Sequence, residues 1–227
     1  MVLRLAEQLE IPLRERNAVL VAAGYAPLYG ERALDDPGLE PARKAIELIL
    51  NGHEPHPALA VNRHWVLVSA NGPAARLMSG IAEALLTPPV NVLRLSLHPQ
   101  GLGPRIENFR EWRAHVLARL DREAQNSADP VILALIDELR SYPVPAGARP
   151  YQPSGHNLAN IAVPLALITE MGTLRLLSTT TVFGTALDIT LSELAVEAFF
   201  PADEETAAII RRMEQVEPVH GSGQRRS

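Results

Sequence analysis

Residues 160–183 read NIAVPLALITEMGTLRLLSTTTVF, and this stretch decides the fold. Ile161, Val163, Leu165 and Leu167 are large and alternate with Ala162, Pro164 and Ala166, the period of two that gives a strand one packed face. Pro164 has no N–H for a central ladder, so the strand belongs at an edge or a bulge. Glu170-Met171-Gly172 supplies a turn into a long strand over Thr173–Phe183, and Gly184 precedes a shorter strand at Ala186–Ile189. The run Ser178-Thr179-Thr180-Thr181 reads as ordinary strand residues favoured by β-branching.

Strand character returns in residues 57–78, PALAVNRHWVLVSANGPAARLM. Two short apolar runs, Ala58–Val61 and Trp65–Ser69, flank Asn62-Arg63-His64 and predict a tight hairpin. Asn71 is placed to cap a short helix carrying Ala74, Leu77 and Met78. The middle of the chain is helical. Asn91 caps a segment with Val92, Leu93 and Leu95, a long helix is expected from about Pro104 to Glu123, and Asp129-Pro130 starts another that buries Ile132, Leu133, Ile136 and Leu139. Tyr142 to Asn157 contains four prolines and reads as loop. Beyond the strands, Thr190 and Glu193 have capping-box spacing for a helix through Ala198, and Asp203 caps a last helix bearing Ile209, Ile210 and Met213. Strands at both ends with helices between them predict the α/β class, as an α+β mixed sheet with inserted helices on one face.

The opening of the chain is different. Val2, Leu5, Ala6 and Leu9 recur at helical spacing. Pro12 suits the start of a second helix, which is expected to bury Val19, Leu20 and Ala23 and to stop at Gly24. Residues 28–52 then read as a turn-rich linker followed by a connector or dimerisation helix that Pro41 opens, with Ala42, Ala45, Ile46 and Ile49 on one face. The expected organisation is therefore a helical remnant over 1–27, a linker and connector over 28–52, a sensor-sized domain over 53–215 and a disordered tail over 216–227.

Composition narrows the function. The chain has 227 residues, 47% hydrophobic and 21% charged, enough for one good core. It has no cysteine, which removes disulfides, thiolate metal sites and cysteine nucleophiles. The net charge of −5 leaves no basic footprint for nucleic acid. At the N-terminus Arg4, Arg14, Arg16 and Arg32 are balanced by Glu7, Glu10, Glu15 and Glu31. No apolar run approaches the ~18 residues of a membrane span, and a cytoplasmic location is the default expectation. Phosphate loops, dinucleotide fingerprints and the G-x-S-x-G elbow are all missing from the sequence, so no enzyme activity and no cofactor are expected.

Several long strings carry a resemblance. MVLRLAEQLEIPLRERNAVLVAAGYAP resembles the end of the helix-turn-helix domain in MmyB-like regulators of the xenobiotic-response-element family. NVLRLSLHPQGLGPRIENFREWRAHVLARL and LLSTTTVFGTALDITLSELAVEAFFPAD resemble the ligand-binding half of the same regulators. The likeness spans residues 1 to about 215. It implies a PAS-like domain that senses a small molecule and controls DNA binding. In that family the groove-reading helix lies upstream of the first string, so the helix-turn-helix is expected to be incomplete here and the chain to bind DNA only if those helices are supplied.

Candidate ligand contacts follow from the helix expected over Pro104–Glu123. Asn108, Trp112, His115 and Arg119 form a polar and aromatic stripe beside an apolar one, a pattern found in ligand pockets and dimer interfaces and equally on a solvated helix face. Arg94 and His98 could supply a cation for an acidic ligand. Val163, Leu165 and Leu176 would line apolar walls suited to a fatty-acyl-like molecule. A homodimer is the expected assembly. His53 and His56 have metal-pair spacing, but Pro55 and Pro57 break the element that would aim them, and no metal is expected. A headless interaction module that titrates full-length relatives is the second reading. A small hydrolase using Asp188, His115 and Ser178 is a remote third.

Overall fold

The computed structural model describes residues 1–150, 163–183, 186 and 188–215. Two short helices open the chain, α1 (Val2–Gln8) and α2 (Leu13–Ala22). Pro12 sits at the N-cap of α2, one position earlier than expected. Gly24 ends α2 with φ +81, and the N–H of Tyr25 and of Gly24 return to the carbonyls of Leu20 and Val21, a Schellman closure. Ala6 and Leu20 are buried, but Leu5, Leu9, Val19 and Ala23 are exposed, against the sequence expectation. Each helix buries only a narrow stripe and leaves the rest of its apolar face uncovered.

Asp36 caps a single 3-10 turn, Pro37–Leu39, which leads into α3 (Glu40–Gly52). This helix buries Ile46 and Leu50, while Ala45 and Ile49 face outward. The first hairpin is β1 (Ala58–Val61) and β2 (Leu67–Ala70). Trp65, expected to begin the second strand, instead stands in the turn at φ +62 and is buried. Asn62 builds that turn by accepting the N–H of His64 and Val66 on its Oδ1. Asn71 caps α4 (Gly72–Leu77) as predicted, and Asn91 does the same for α6 (Val92–Leu97), with the short α5 (Glu83–Leu86) between them.

The long helix begins later than its sequence pattern suggests. Gly103–Arg105 is a 3-10 turn, Ile106 bridges Leu167, and α7 runs from Phe109 to Ser127. Pro104 thus lies ahead of the helix, and residues 106–108 run alongside a strand instead. Asp129 caps α8 (Pro130–Ser141), whose inner face is Ile132, Leu135, Ile136 and Leu139. Leu133, expected inside, is exposed because Leu135 and Ile136 complete the inward stripe.

β3 (Leu165–Thr169) starts two residues after Val163, which precedes it half-buried; Ile161 lies outside the described residues. β3 pairs antiparallel with β4 (Gly172–Val182), Leu165 opposite Leu176. No strand occupies Ala186–Ile189 among the described residues: Asp188 caps the four-residue α9 (Ile189–Ser192). Ala195–Ala198, expected as helix, belong to β5 (Ala195–Pro201), which pairs antiparallel with β1, Ala58 opposite Ala198. Val196 and Ala198 are buried by this pairing, and long-range pairing overrides a local capping pattern.

The sheet order is β2-β1-β5-β4-β3, so β5 is central and Pro164 leads into an edge strand. Asp203 caps the last helix, α10 (Glu204–Gln215). The chain divides into two units, Met1–Leu95 with Thr179–Ala198, and Ser96–Ser178 with Phe199–Ser227. The expected loop beyond residue 150 and the tail from 216 lie outside the described residues. Among the described residues no helix is long and apolar enough to cross a membrane.

Candidate functional site

In the second unit α7 and β3 carry several of the candidate residues, in separate groups. Asn108 precedes α7 without capping it; its Nδ2 donates to Pro164 O at 2.8 Å and its Oδ1 accepts the N–H of Ala166 at 3.0 Å. Glu107 N adds a bond to Ala166 O at 2.8 Å. The start of α7 is thereby sewn to the edge strand, at the position where Pro164 leaves the ladder short of a donor.

One turn into α7 the buried Trp112 donates its indole N–H to Ser96 Oγ at 2.8 Å. His115 stacks on Trp112 with ring centroids 5.5 Å apart. Arg119 pairs with Glu123 at 3.4 Å along the helix. His98 accepts the N–H of Gln100 on Nδ1 and meets the ring of Tyr142 edge-on at 5.0 Å. Tyr142 in turn donates to Glu138. Leu165 and Leu176 face each other across the β3–β4 ladder and are buried. Arg94 lies half-buried on α6 in the first unit.

A cavity of about 390 Å³ opens beside the start of α7, lined by Glu107, Asn108, Arg110, Glu111, Arg149 and Pro150. Arg149 reaches Glu107 at 2.7 Å, and Arg175 approaches the other oxygen of Glu107 at 3.8 Å. The wall therefore offers two cations and two carboxylates, suited to an ionic or zwitterionic group. Of the residues singled out by sequence, Asn108 lines it; Glu107, Arg110, Glu111 and Arg149 were missed. The run Glu107-Asn108-Phe109-Arg110-Glu111 held a signal, a cluster of charge at the start of a helix, but nothing local points to Arg149.

The first unit holds a smaller apolar cavity of about 190 Å³, lined by Ala42, Ala45, Ile46, Phe183, Ala186 and Leu191. Asp188 is engaged as the cap of α9 and approached by Arg32 at 3.8 Å. Among the described residues no three His, Asp or Glu side chains converge as metal ligands would.

Two carboxylates, Asp203 at the start of α10 and Glu31 in the loop after α2, have lowered pKa values. The backbone N–H and the hydroxyl of Thr206, and then Arg175, lower the Asp203 pKa below the ordinary aspartate value. Arg14 does the same for Glu31, while the carboxylates of Glu193 and Glu31 raise the pKa of Arg14.

Residues 42–213 match the family described as MmyB-like transcription regulator ligand binding domain. No curated protein matches the chain.

Proposed function

The chain belongs to the MmyB-like transcription regulator ligand-binding family, and from that premise we propose that its second unit senses a fatty-acyl-like molecule. The observation that carries this reading is the aliphatic interior of that unit. Leu120, Leu139, Leu165, Leu167, Leu174 and Leu176 are buried, and the polar side chains buried with them, Ser96 and Thr206, are hydrogen-bonded to Trp112 and to the N–H of Arg175. An aliphatic interior of this kind, once opened to an acyl chain, would reward methylenes at about 0.8 kcal/mol each. Ten methylenes supply roughly 8 kcal/mol, near micromolar affinity before ordering costs. The charged cavity at the start of α7 is a suitable place for the polar head, with Arg110 and Arg149 offering cations to a carboxylate. Trp112, His115 and His98 then shape the approach.

In this reading acyl binding controls DNA occupancy by a helix-turn-helix to which α1 and α2 belong, and the working assembly is a homodimer. Native mass spectrometry of the purified chain and thermal melting with dodecanoate and tetradecanoate test it. A retained acyl mass, or a melting temperature that rises with chain length, is the expected result; neither appearing would remove the lipid assignment.

The exposed apolar faces of α1 and α2 favour a second reading. Leu5 (57%), Leu9 (62%) and Val21 (57%) are open to solvent, as in a module awaiting a helical partner. Mixing the chain with a full-length relative in a gel-shift assay separates the readings, since unchanged DNA occupancy would exclude titration.

A further inference from the structure

The segment joining β4 to β5 finds its partners far away in sequence, within the first unit. Gly30 bridges Asp188, the N–H of Ile189 donates to Gly30 O at 2.9 Å, and Thr190 Oγ1 donates to Arg32 O at 2.6 Å. Glu193, at the end of α9, accepts two bonds from one guanidinium: Arg14 Nε at 2.7 Å and Nη2 at 3.0 Å. The other edge of Arg14 is taken by Glu31, with Nη1 at 2.9 Å. Arg63, from the turn between β1 and β2, approaches Glu193 Oε2 at 3.7 Å. One turn further along α2, Asn17 closes the arrangement. Its Oδ1 accepts the N–H of Leu28 and of Tyr29, and its Nδ2 donates to Tyr29 O.

Isolated surface ion pairs contribute little, but a two-pronged guanidinium–carboxylate pair that is half-buried and shared within a network is the exception. Here the side chains of Arg14 and Glu193 are only 29% and 21% exposed. Position matters as much as strength. Glu193 is followed by Leu194, 1% exposed, and then by the central strand β5, which also carries the buried Glu197 bonded to Thr180 of β4 at 2.7 Å. The opening helices are therefore tied to the residue at the root of the central strand, the place in the sheet where a shift of β5 is first felt.

We propose that Glu193 is a positioning residue that couples the sheet to the opening helical pair, its carboxylate addressed by Arg14 from α2 and by Arg63 from the β1–β2 turn. The coupling is the regulatory arm of the ligand-sensing reading and rests on it. Movement of β5 changes the seating of Glu193 and releases or tightens α2, with Asn17 holding α2 to residues 28–29 throughout.

Amide hydrogen exchange on the full chain tests the coupling without DNA. Glu193→Gln keeps the shape and removes the charge; it should raise exchange of the α2 amides about tenfold, the loss of one charge-assisted hydrogen bond. Arg14→Lys keeps the charge but loses the fork and should give a smaller rise, which provides a readout if Glu193→Gln unfolds the chain. Thr180→Val perturbs β5 without any ligand. It should alter α2 exchange in the native background and leave it unchanged beside Glu193→Gln. Tetradecanoate should shift α2 exchange in the native chain and not in Glu193→Gln, while still raising the melting temperature of both. Unchanged α2 exchange in Glu193→Gln or Arg14→Lys, or a Thr180→Val response that survives Glu193→Gln, overturns the coupling. Failure of tetradecanoate to bind, with the Thr180→Val result as expected, overturns the acyl assignment and supports the coupling.

Discussion

The indole N–H of Trp112 donates to the hydroxyl of Ser96 across 2.8 Å, and both side chains are buried. Ser96→Ala strands a buried donor and should cost about 1–3 kcal/mol, read as a fall of several degrees in melting temperature. Removing both partners in Ser96→Ala with Trp112→Phe should cost less than the sum of the two single changes, because the orphaned donor goes with the indole.

Asn71 is 2% exposed and fully employed: its Oδ1 accepts from Ala58 N and Ala74 N, and its Nδ2 donates to Leu50 O and His56 O. It joins α3, β1 and α4 through one side chain. Asn71→Leu should destabilise the chain by roughly 3 kcal/mol or more in urea unfolding, since several buried backbone groups lose partners together. Asn71→Asp keeps the acceptor but turns a buried carboxyl oxygen toward the carbonyls of Leu50 and His56, and should cost at least as much.

Gly172 adopts φ +130, and a Cβ there would stand 2.9 Å from Ile209 Cδ1 on α10. Gly172→Ala combines backbone strain with an overpacked contact and should cost about 1–3 kcal/mol. Trimming the neighbour in Gly172→Ala with Ile209→Val should recover part of the loss, whereas backbone strain alone would leave the double variant no better. Thermal melting of both variants, with Ile209→Val alone as the reference, decides between the two contributions.

Asp203 sets an acid limit. Its folded pKa is below the ordinary aspartate value, chiefly because the backbone N–H of Thr206 donates to it. A depressed carboxylate contributes stability above its unfolded pKa and loses it as pH falls through the folded value. Stability should therefore drop from about pH 4 downward. Asp203→Asn should flatten that limb while changing stability little at pH 7, as asparagine is also a good N-cap. Denaturant midpoints across pH 2–7 check the slope.

The sequence carries its local features legibly and its distant pairings hardly at all. Asn71, Asn91 and Asp129 were readable as caps because capping is a local bargain between a side chain and N–H groups two or three residues on. Pro164 pointed to an edge or a bulge for an equally local reason, and β3 stands at the edge. β5 was not legible: Thr190 and Glu193 have the spacing of a capping box, and only pairing with β1, far away in the chain, turns Ala195–Ala198 into strand. The same distinction governs the site. Trp112 and His115 come together because a helix places them one turn apart, whereas Asn108 is drawn away to Pro164 and Ala166, and Arg149 joins Glu107 from a proline-rich loop. Periodicity records what a helix does to its own side chains and is silent about what arrives from elsewhere.

The central place of β5 also governs when the sheet can be finished. Among the described residues β5 is the last strand in sequence, yet it sits between β1 and β4. While the chain is being synthesised, the hairpin β1–β2 and the hairpin β3–β4 each wait with an open edge until the residues of β5 emerge from the ribosome. Such unpaired edges are templates for association with other chains, and a closure this distant in sequence is slow. Translation thus leaves a window, between the emergence of β4 and that of β5, in which both hairpins present an open edge.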